Sequence, residues 1–358
     1  MKRLILIIGV VFLAGCAGPT KSGKIARANA YERMDIVNAN LAAQQSRQQF
    51  EVGQLKAALE TIDAAIARYE NNAAYHLLRG RILIEQHRLD AASKSLTRSA
   101  ELDPKVAEPH YFQGVLHQRW SEDAKALVSY KKAMECNATH PQFLLAAAET
   151  HVALGQLDEA IELLELAGKE FQHQPSVAAL LGHIHMLNGM PKKAAEYLAD
   201  SRLLGNDDEE VLTLLATAQF NAGEYTNCLF TLSQIQDHGD LSFSFQRLKG
   251  KCLSATGRHI QGRDICLKVT RQTPDDAGAW VDLGFIAWEM GDYKRVAMCG
   301  KKISELAPDY SEGPLFEGIV ALREGDVHNG MQLLAQAQSD NTIDGIDSLL
   351  QYYGKSTK

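Results

Sequence analysis

Three histidines, His117, His151 and His185, recur at an interval of 34 residues. Imidazoles held at one level of successive structural units would form a ladder, which is one way to bind a metal ion. Packed helices lie about 8–10 Å apart, however, whereas zinc–nitrogen bonds are about 2 Å, and no carboxylate completes a ligand set. Packing is therefore the expected role of these rings, and neither metal nor cofactor is expected. Gly18 to Lys24 nearly spells the phosphate loop G-x-x-x-x-G-K-[ST], but Ile25 stands where a hydroxyl must ligate Mg²⁺, and no strand precedes it. No acid, base or nucleophile set converges in the sequence, so the chain is not expected to be an enzyme. A net charge of -7 offers no basic field for nucleic acid.

The interval of 34 belongs to the whole chain. Glycine stands at 155, 189, 223, 257, 291 and 325, and the same period reaches Gly53. With this glycine as position 15, repeats start at 39, 73, 107, 141, 175, 209, 243, 277 and 311. Nine units then fill residues 39–344 without insertion. Position 8 is always small (Ser46, Gly80, Gly114, Ala148, Gly182, Ala216, Gly250, Gly284, Gly318), which lets two helices approach closely. Position 20 is mostly small, as at Ala58, Ala92, Ala126 and Ala160. Position 24 carries fillers such as Ile62, Leu96, Tyr130, Leu164 and Leu198. Proline at 104, 274 and 308 ends second helices. Composition agrees with folded helices: 46% of residues are hydrophobic and 23% charged. A chain of 358 residues exceeds one ordinary core, but repeat arrays grow end to end.

This register resembles the tetratricopeptide repeat family, most clearly at Trp280, Leu283, Gly284, Gly291, Tyr293 and Pro308 of one unit. The resemblance implies an all-α fold, an α-solenoid of helix-turn-helix units in a right-handed superhelix, which binds other proteins along its concave side. Residues 345–358, with Ile346, Leu349, Leu350, Tyr352 and Tyr353 at helical spacing, are expected to cap the last unit.

At the N-terminus, Lys2 and Arg3 precede an apolar run, Leu4 to Leu13, shorter than the roughly 20 residues that span a bilayer. It reads as an export signal. Leu13-Ala14-Gly15-Cys16 resembles the lipobox of bacterial lipoproteins. That resemblance implies a signal peptide over 1–15, a diacylglycerol on Cys16, and a chain held to the membrane by acyl chains worth about 0.8 kcal/mol per CH₂. Ala17, where aspartate resembles an inner-membrane retention signal, favours the outer membrane, with the protein facing the periplasm. Gly18, Pro19, Ser22 and Gly23 suit a flexible tether, and 16–38 is expected to hold the lipidated end, this tether and a leading helix.

Five further cysteines remain: Cys136, Cys228, Cys252, Cys266 and Cys299. Cys228 and Cys252 lie symmetrically about Asp240, in the turn between the sixth and seventh units, and make a candidate disulfide. Cys252 with Cys266 is a rival pair, and free buried thiols are the third reading.

By the family resemblance, first-helix positions 2, 5, 9, 12 and 13 line the inner groove. Arg47, Phe50, Arg81, Tyr111 and Arg119 then make the N-terminal half basic and aromatic, and His183, Phe220, Arg247, Lys251, Phe285 and Trp288 line the rest. Such residues anchor protein interfaces, and a segment with acidic and apolar side chains would match them, although Glu51, Glu85, Glu108 and Glu149 dilute the charge. A family clamp of lysine and asparagine at positions 5 and 9 is not matched by Ala43 and Arg47 or by Leu77 and Arg81. The expected function is a membrane-anchored scaffold or adaptor of the bacterial envelope, assisting assembly of a pilus, secretion or outer-membrane complex. The alternative is a periplasmic carrier of a glycan or small ligand that stacks on Trp288, Phe285 and Tyr111.

Overall fold

The computed structural model describes residues 20–167, 171, 173–238 and 241–338. The expected signal peptide, Cys16 and the expected C-terminal cap lie outside them. Eighteen α-helices and no strand occur among the described residues. They fall into two compact units that divide after Gly155. The first holds α1 (Lys21–Glu51), α2 (Leu55–Arg68), α3 (Ala73–Glu85), α4 (Leu89–Leu102), α5 (Glu108–Arg119), α6 (Asp123–Cys136) and α7 (Pro141–Ala153). The second holds α8 (Leu157–Leu166), α9 (Pro175–Leu187), α10 (Pro191–Leu203), α11 (Glu209–Asn221), α12 (Tyr225–His238) and α13 (Phe243–Ala255). It continues with α14 (His259–Gln272), α15 (Ala277–Glu289), α16 (Tyr293–Leu306), α17 (Glu312–Glu324) and α18 (Val327–Ala337).

Each hairpin turns through one residue with a left-handed backbone. Gly53, Gly155, Gly189, Gly223, Gly257, Gly291 and Gly325 hold φ between 68° and 90°, a conformation that glycine adopts without a Cβ penalty. His87 and Ser121 occupy the same position, with φ of 57° and 59°. The turn closes by paired bonds to the preceding helix: His87 N–H donates to Ile84 O and Arg88 N–H to Leu83 O, both at 2.9 Å.

Close packing within a hairpin depends on position 8. A Cβ on Gly80 would come within 2.7 Å of Leu96, and one on Gly114 or Gly182 within 2.5 Å of Tyr130 or Leu198, so in these repeats the bulk at position 24 rests on glycine opposite. In the eighth repeat position 24 is Gly300, and the buried ring of Phe316 from α17 lies against Gly284 instead. Serine at position 27 adds a polar latch: Ser99 Oγ donates to Ala73 O at 2.8 Å, and Ser201 Oγ to Pro175 O at 2.7 Å. The apolar cores run from hairpin to hairpin. In the first unit Ala58, Ile62, Tyr75 and Ile82 share one cluster, and in the second Leu283, Val296, Ile303, Phe316 and Leu334 share another. Each buried Leu, Ile or Phe contributes about 1.5–3 kcal/mol, which a lone hairpin could not realise.

The N-terminal helix differs from the expected tether. Thr20 caps α1, its hydroxyl accepting from Gly23 N–H at 3.1 Å, and the 31 residues of the helix, Lys21–Glu51, take in Ser22 and Gly23. A satisfied N-terminal donor offsets the low helix propensity of those two residues.

Candidate partner grooves

In the first unit the basic residues come from α1, α3 and α5. Arg47 is exposed and lines a cleft of about 550 Å³ with Asn40, Gln44, Glu51, Asn72 and Tyr75. Tyr75 OH donates to Asn40 Oδ1 at 2.6 Å, fixing one wall. The guanidinium of Arg81 sits between two rings, 5.3 Å from the centroids of both Phe50 and Phe112. Arg119 Nη1 donates to Ile84 O at 3.1 Å, at the negative end of α3. Among the described residues none of these three arginines forms an ion pair with a carboxylate. Tyr111 is half-buried beside Phe112, Tyr130 and Phe143, at centroid distances of 5.1, 5.6 and 5.2 Å, and its hydroxyl accepts from Gln142 at 2.8 Å. Burial pushes the Tyr111 phenol above its ordinary range, against the pull of the Gln142 bond.

The second unit treats its cations differently. Phe220, Lys251 and Phe285 meet in a cleft of about 220 Å³ with Tyr225, Ser254 and Glu289. Lys251 Nζ stands 4.8 Å over the Phe220 ring and 3.7 Å from Asp282 Oδ1. Arg247 Nε donates to Asp282 Oδ2 at 2.6 Å and Nη1 to Asp276 Oδ2 at 2.9 Å. Two cations thus share two carboxylates, and their charge is cancelled inside the protein. Burial opposes the charge of Arg247, but the Asp282 and Asp276 carboxylates outweigh it and raise its pKa. Trp288 stacks on Phe285 at 6.2 Å, and both rings pack on the apolar core. His183 is exposed on α9, apart from the cleft.

Asp276 and Asp282 escaped the sequence reading, since neither occupies a lining position of the register. Helix α15 carries Asp282 one turn in, and Asp276 caps that helix by accepting from Ala279 N–H at 3.3 Å. A serine, a histidine and a glutamate also meet unannounced. Ser254 Oγ lies 2.5 Å from Glu289 Oε2 and 2.8 Å from His259 Nδ1. The one hydroxyl proton goes to the carboxylate, so His259 Nδ1 must donate to Ser254. A nucleophilic serine needs the reverse, with its proton accepted by the imidazole. Ser254 is also only 4% exposed, which closes it to attack on a substrate. The trio ties α13 and α14 to α15.

The thiols are free among the described residues. Cys228 of α12 and Cys252 of α13 are fully buried in one apolar cluster with Leu212, Ala216 and Leu232. The neighbouring Cys252 sulfur, together with burial, raises the pKa of Cys228 and holds it in the thiol form. Cys266 lies in another cluster, behind Gly250, where burial pushes its pKa up to about 12. Cys299 is raised to about 12 by the same cause, and Cys136 is exposed. Of the recurring histidines, His117 Nδ1 lies 2.8 Å from Glu122 Oε2. His185 is 2% exposed, stacks on Tyr197 at 5.3 Å, and has no hydrogen-bond partner on either ring nitrogen.

A family model described as tetratricopeptide repeat matches residues 124–184. The fold is of tetratricopeptide type. Among curated proteins, Superkiller complex protein 3 of Mus musculus is 22% identical over 261 residues, which are 70% of this chain and 17% of that protein. The chain thus spans about a sixth of that relative's length. Among solved structures, a tetratricopeptide repeat protein from Parabacteroides merdae superposes with a TM-score of 0.49 at 15% identity, covering 70% of this chain and 98% of the other. PilF of Pseudomonas aeruginosa gives 0.47 at 19% identity, covering 56% and 92%. PilW, described as a widely conserved type IV pilus biogenesis factor, gives 0.42 at 18% identity, covering 66% and 94%.

Proposed function

We propose that this chain is a protein-binding scaffold of the bacterial envelope, held to the membrane through Cys16. In this reading the first unit grips an acidic, apolar-anchored segment of a partner during assembly of a pilus, secretion or outer-membrane complex. The observation that carries the reading is the contrast between the two grooves. Arg47, Arg81 and Arg119 present uncancelled charge beside Phe50, Phe112 and Tyr111, whereas Arg247 and Lys251 are neutralised by Asp276 and Asp282. Arginine held between aromatic rings gives up little rotamer entropy when it pairs with a carboxylate, which favours binding there. Lys2, Arg3, the apolar run and Leu13-Ala14-Gly15-Cys16 support the anchor. The glycan-carrier alternative needs free ring faces, and Tyr111, Phe285 and Trp288 spend theirs largely on neighbouring rings and the core.

The test is the affinity of the intact protein for an extended peptide of alternating Asp/Glu and Leu residues, followed by fluorescence anisotropy against salt. Replacing Arg47, Arg81 and Arg119 by Ala should weaken binding at least about tenfold, since charge-assisted contacts are worth about 1.5–3 kcal/mol each. Asp282→Asn, which releases Arg247 and Lys251, should add affinity in the second unit. Binding that ignores the arginines but disappears with Phe285→Ala and Trp288→Ala would sink the assignment to the first unit.

A further inference from the structure

Helix α1 continues well before the first repeat. Residues 21–35 are exposed on every side, and only from Ala39 and Ser46 does the helix bury residues against its hairpin partner. A helical stretch of that length with no tertiary cover is marginal in water, so a surface that covers it would stabilise it.

At about 100° per residue, Tyr31, Met34, Val37 and Leu41 fall on one half of the helix. Each is more than half exposed. Lys24, Arg27 and Arg33 fall on the same half, and no carboxylate does. The two acids of this stretch, Glu32 and Asp35, point to the opposite half, the side that further along buries Ala39 and Ser46. The result is an exposed apolar stripe turned away from the hairpin, which Lys24 and Arg33 flank and Arg27 heads at its N-terminal end, while Ile25, also exposed, lies on the opposite half. Lysine and arginine around an apolar stripe fit the headgroup region of an anionic bilayer, where the stripe enters the acyl boundary and the cations meet phosphate. Pairing with a second copy in parallel would set these cations against one another, without a carboxylate to relieve them. Lys21 follows Cys16 by five residues, a reach of at most about 18 Å in extended chain.

We propose that residues 24–41 of α1 form an interfacial helix that lies on anionic lipid, and so set the first unit against the membrane surface. The proximity of a bilayer rests on the anchor reading of Cys16, but the lipid contact does not depend on any groove partner. Hydrogen–deuterium exchange of the full chain in vesicles tests it. Vesicles of phosphatidylcholine with about one third phosphatidylglycerol should slow exchange of the 24–38 amides about tenfold or more relative to phosphatidylcholine alone. The variant Lys24→Gln/Arg27→Gln/Arg33→Gln should lose that difference while exchange in α2 to α6 stays unchanged, which shows that the repeats remain folded. Equal exchange in the two kinds of vesicle overturns the proposal. Protection that follows protein concentration instead of lipid charge also overturns it, and assigns the face to a second copy. A null result here with arginine-dependent peptide binding intact would discard the lipid contact and leave the scaffold reading standing.

Discussion

His87 and Ser121 hold a turn position that glycine takes in the other repeats, at φ of 57° and 59°. A left-handed backbone costs a residue with a Cβ about 1–2 kcal/mol, while glycine loses about 0.5–1 kcal/mol through its freer unfolded state. His87→Gly and Ser121→Gly are therefore each expected to stabilise the protein by about 0.5–1 kcal/mol, read as a higher denaturant midpoint at unchanged slope. His185 makes the opposite kind of demand. Burial chiefly, with Lys193 adding to it and Glu165 opposing, holds its pKa below the ordinary 6.5. The unfolded chain takes up this proton first as pH falls, so the stability it contributes is present above about pH 6.5 and is lost as pH falls through the folded value. Melting of wild type beside His185→Phe should show the variant losing less stability between about pH 6.5 and 5. Parallel curves would assign the acid sensitivity to other histidines.

At the scale of elements, α12 and α13 bring the Cys228 and Cys252 sulfurs together across the link between the sixth and seventh repeats. Thiol–disulfide exchange with oxidised glutathione would join the two sulfurs and release two molecules of reduced glutathione. Closing a loop of about 25 residues is worth about 3.5 kcal/mol in the chain-entropy account. Oxidation is expected to remove two titratable thiols and raise the melting temperature, and Cys228→Ser should abolish both effects. Because both thiols are fully buried, the reaction should proceed only as fast as the helices open. Unchanged thiol titration after global unfolding and refolding in the same buffer would count against the pair.

For the whole molecule, the proposed role requires the array to be held at a membrane, yet no helix among the described residues is long and apolar enough to cross one. In the proposed reading the anchor is Cys16, which lies outside the described residues. Cys16→Ser should abolish incorporation of labelled fatty acid and move the protein out of the membrane fraction, with the helical content unchanged by circular dichroism. Retained labelling would place the acyl group elsewhere or contradict the lipobox.

The helical hairpins, their close-packed positions and the all-α class were legible in the sequence because a repeat writes the same local requirements each time. Small residues stand where helices touch, glycine where the backbone turns left-handed, and fillers opposite. Even His87 and Ser121 lie where the glycine period falls. What sequence could not supply was the fate of the charges. Tyr75 with Asn40, Arg119 with Ile84, Arg247 with Asp282 and Ser254 with Glu289 are all joined across 35 residues, one position further on in the following repeat. A periodic pattern names the groove positions, but ion pairing depends on distances of a few ångströms between side chains of adjacent hairpins. Only the tertiary structure therefore decided that Arg247 and Lys251 are cancelled, while Arg47, Arg81 and Arg119 stay exposed and, among the described residues, outside any ion pair with a carboxylate.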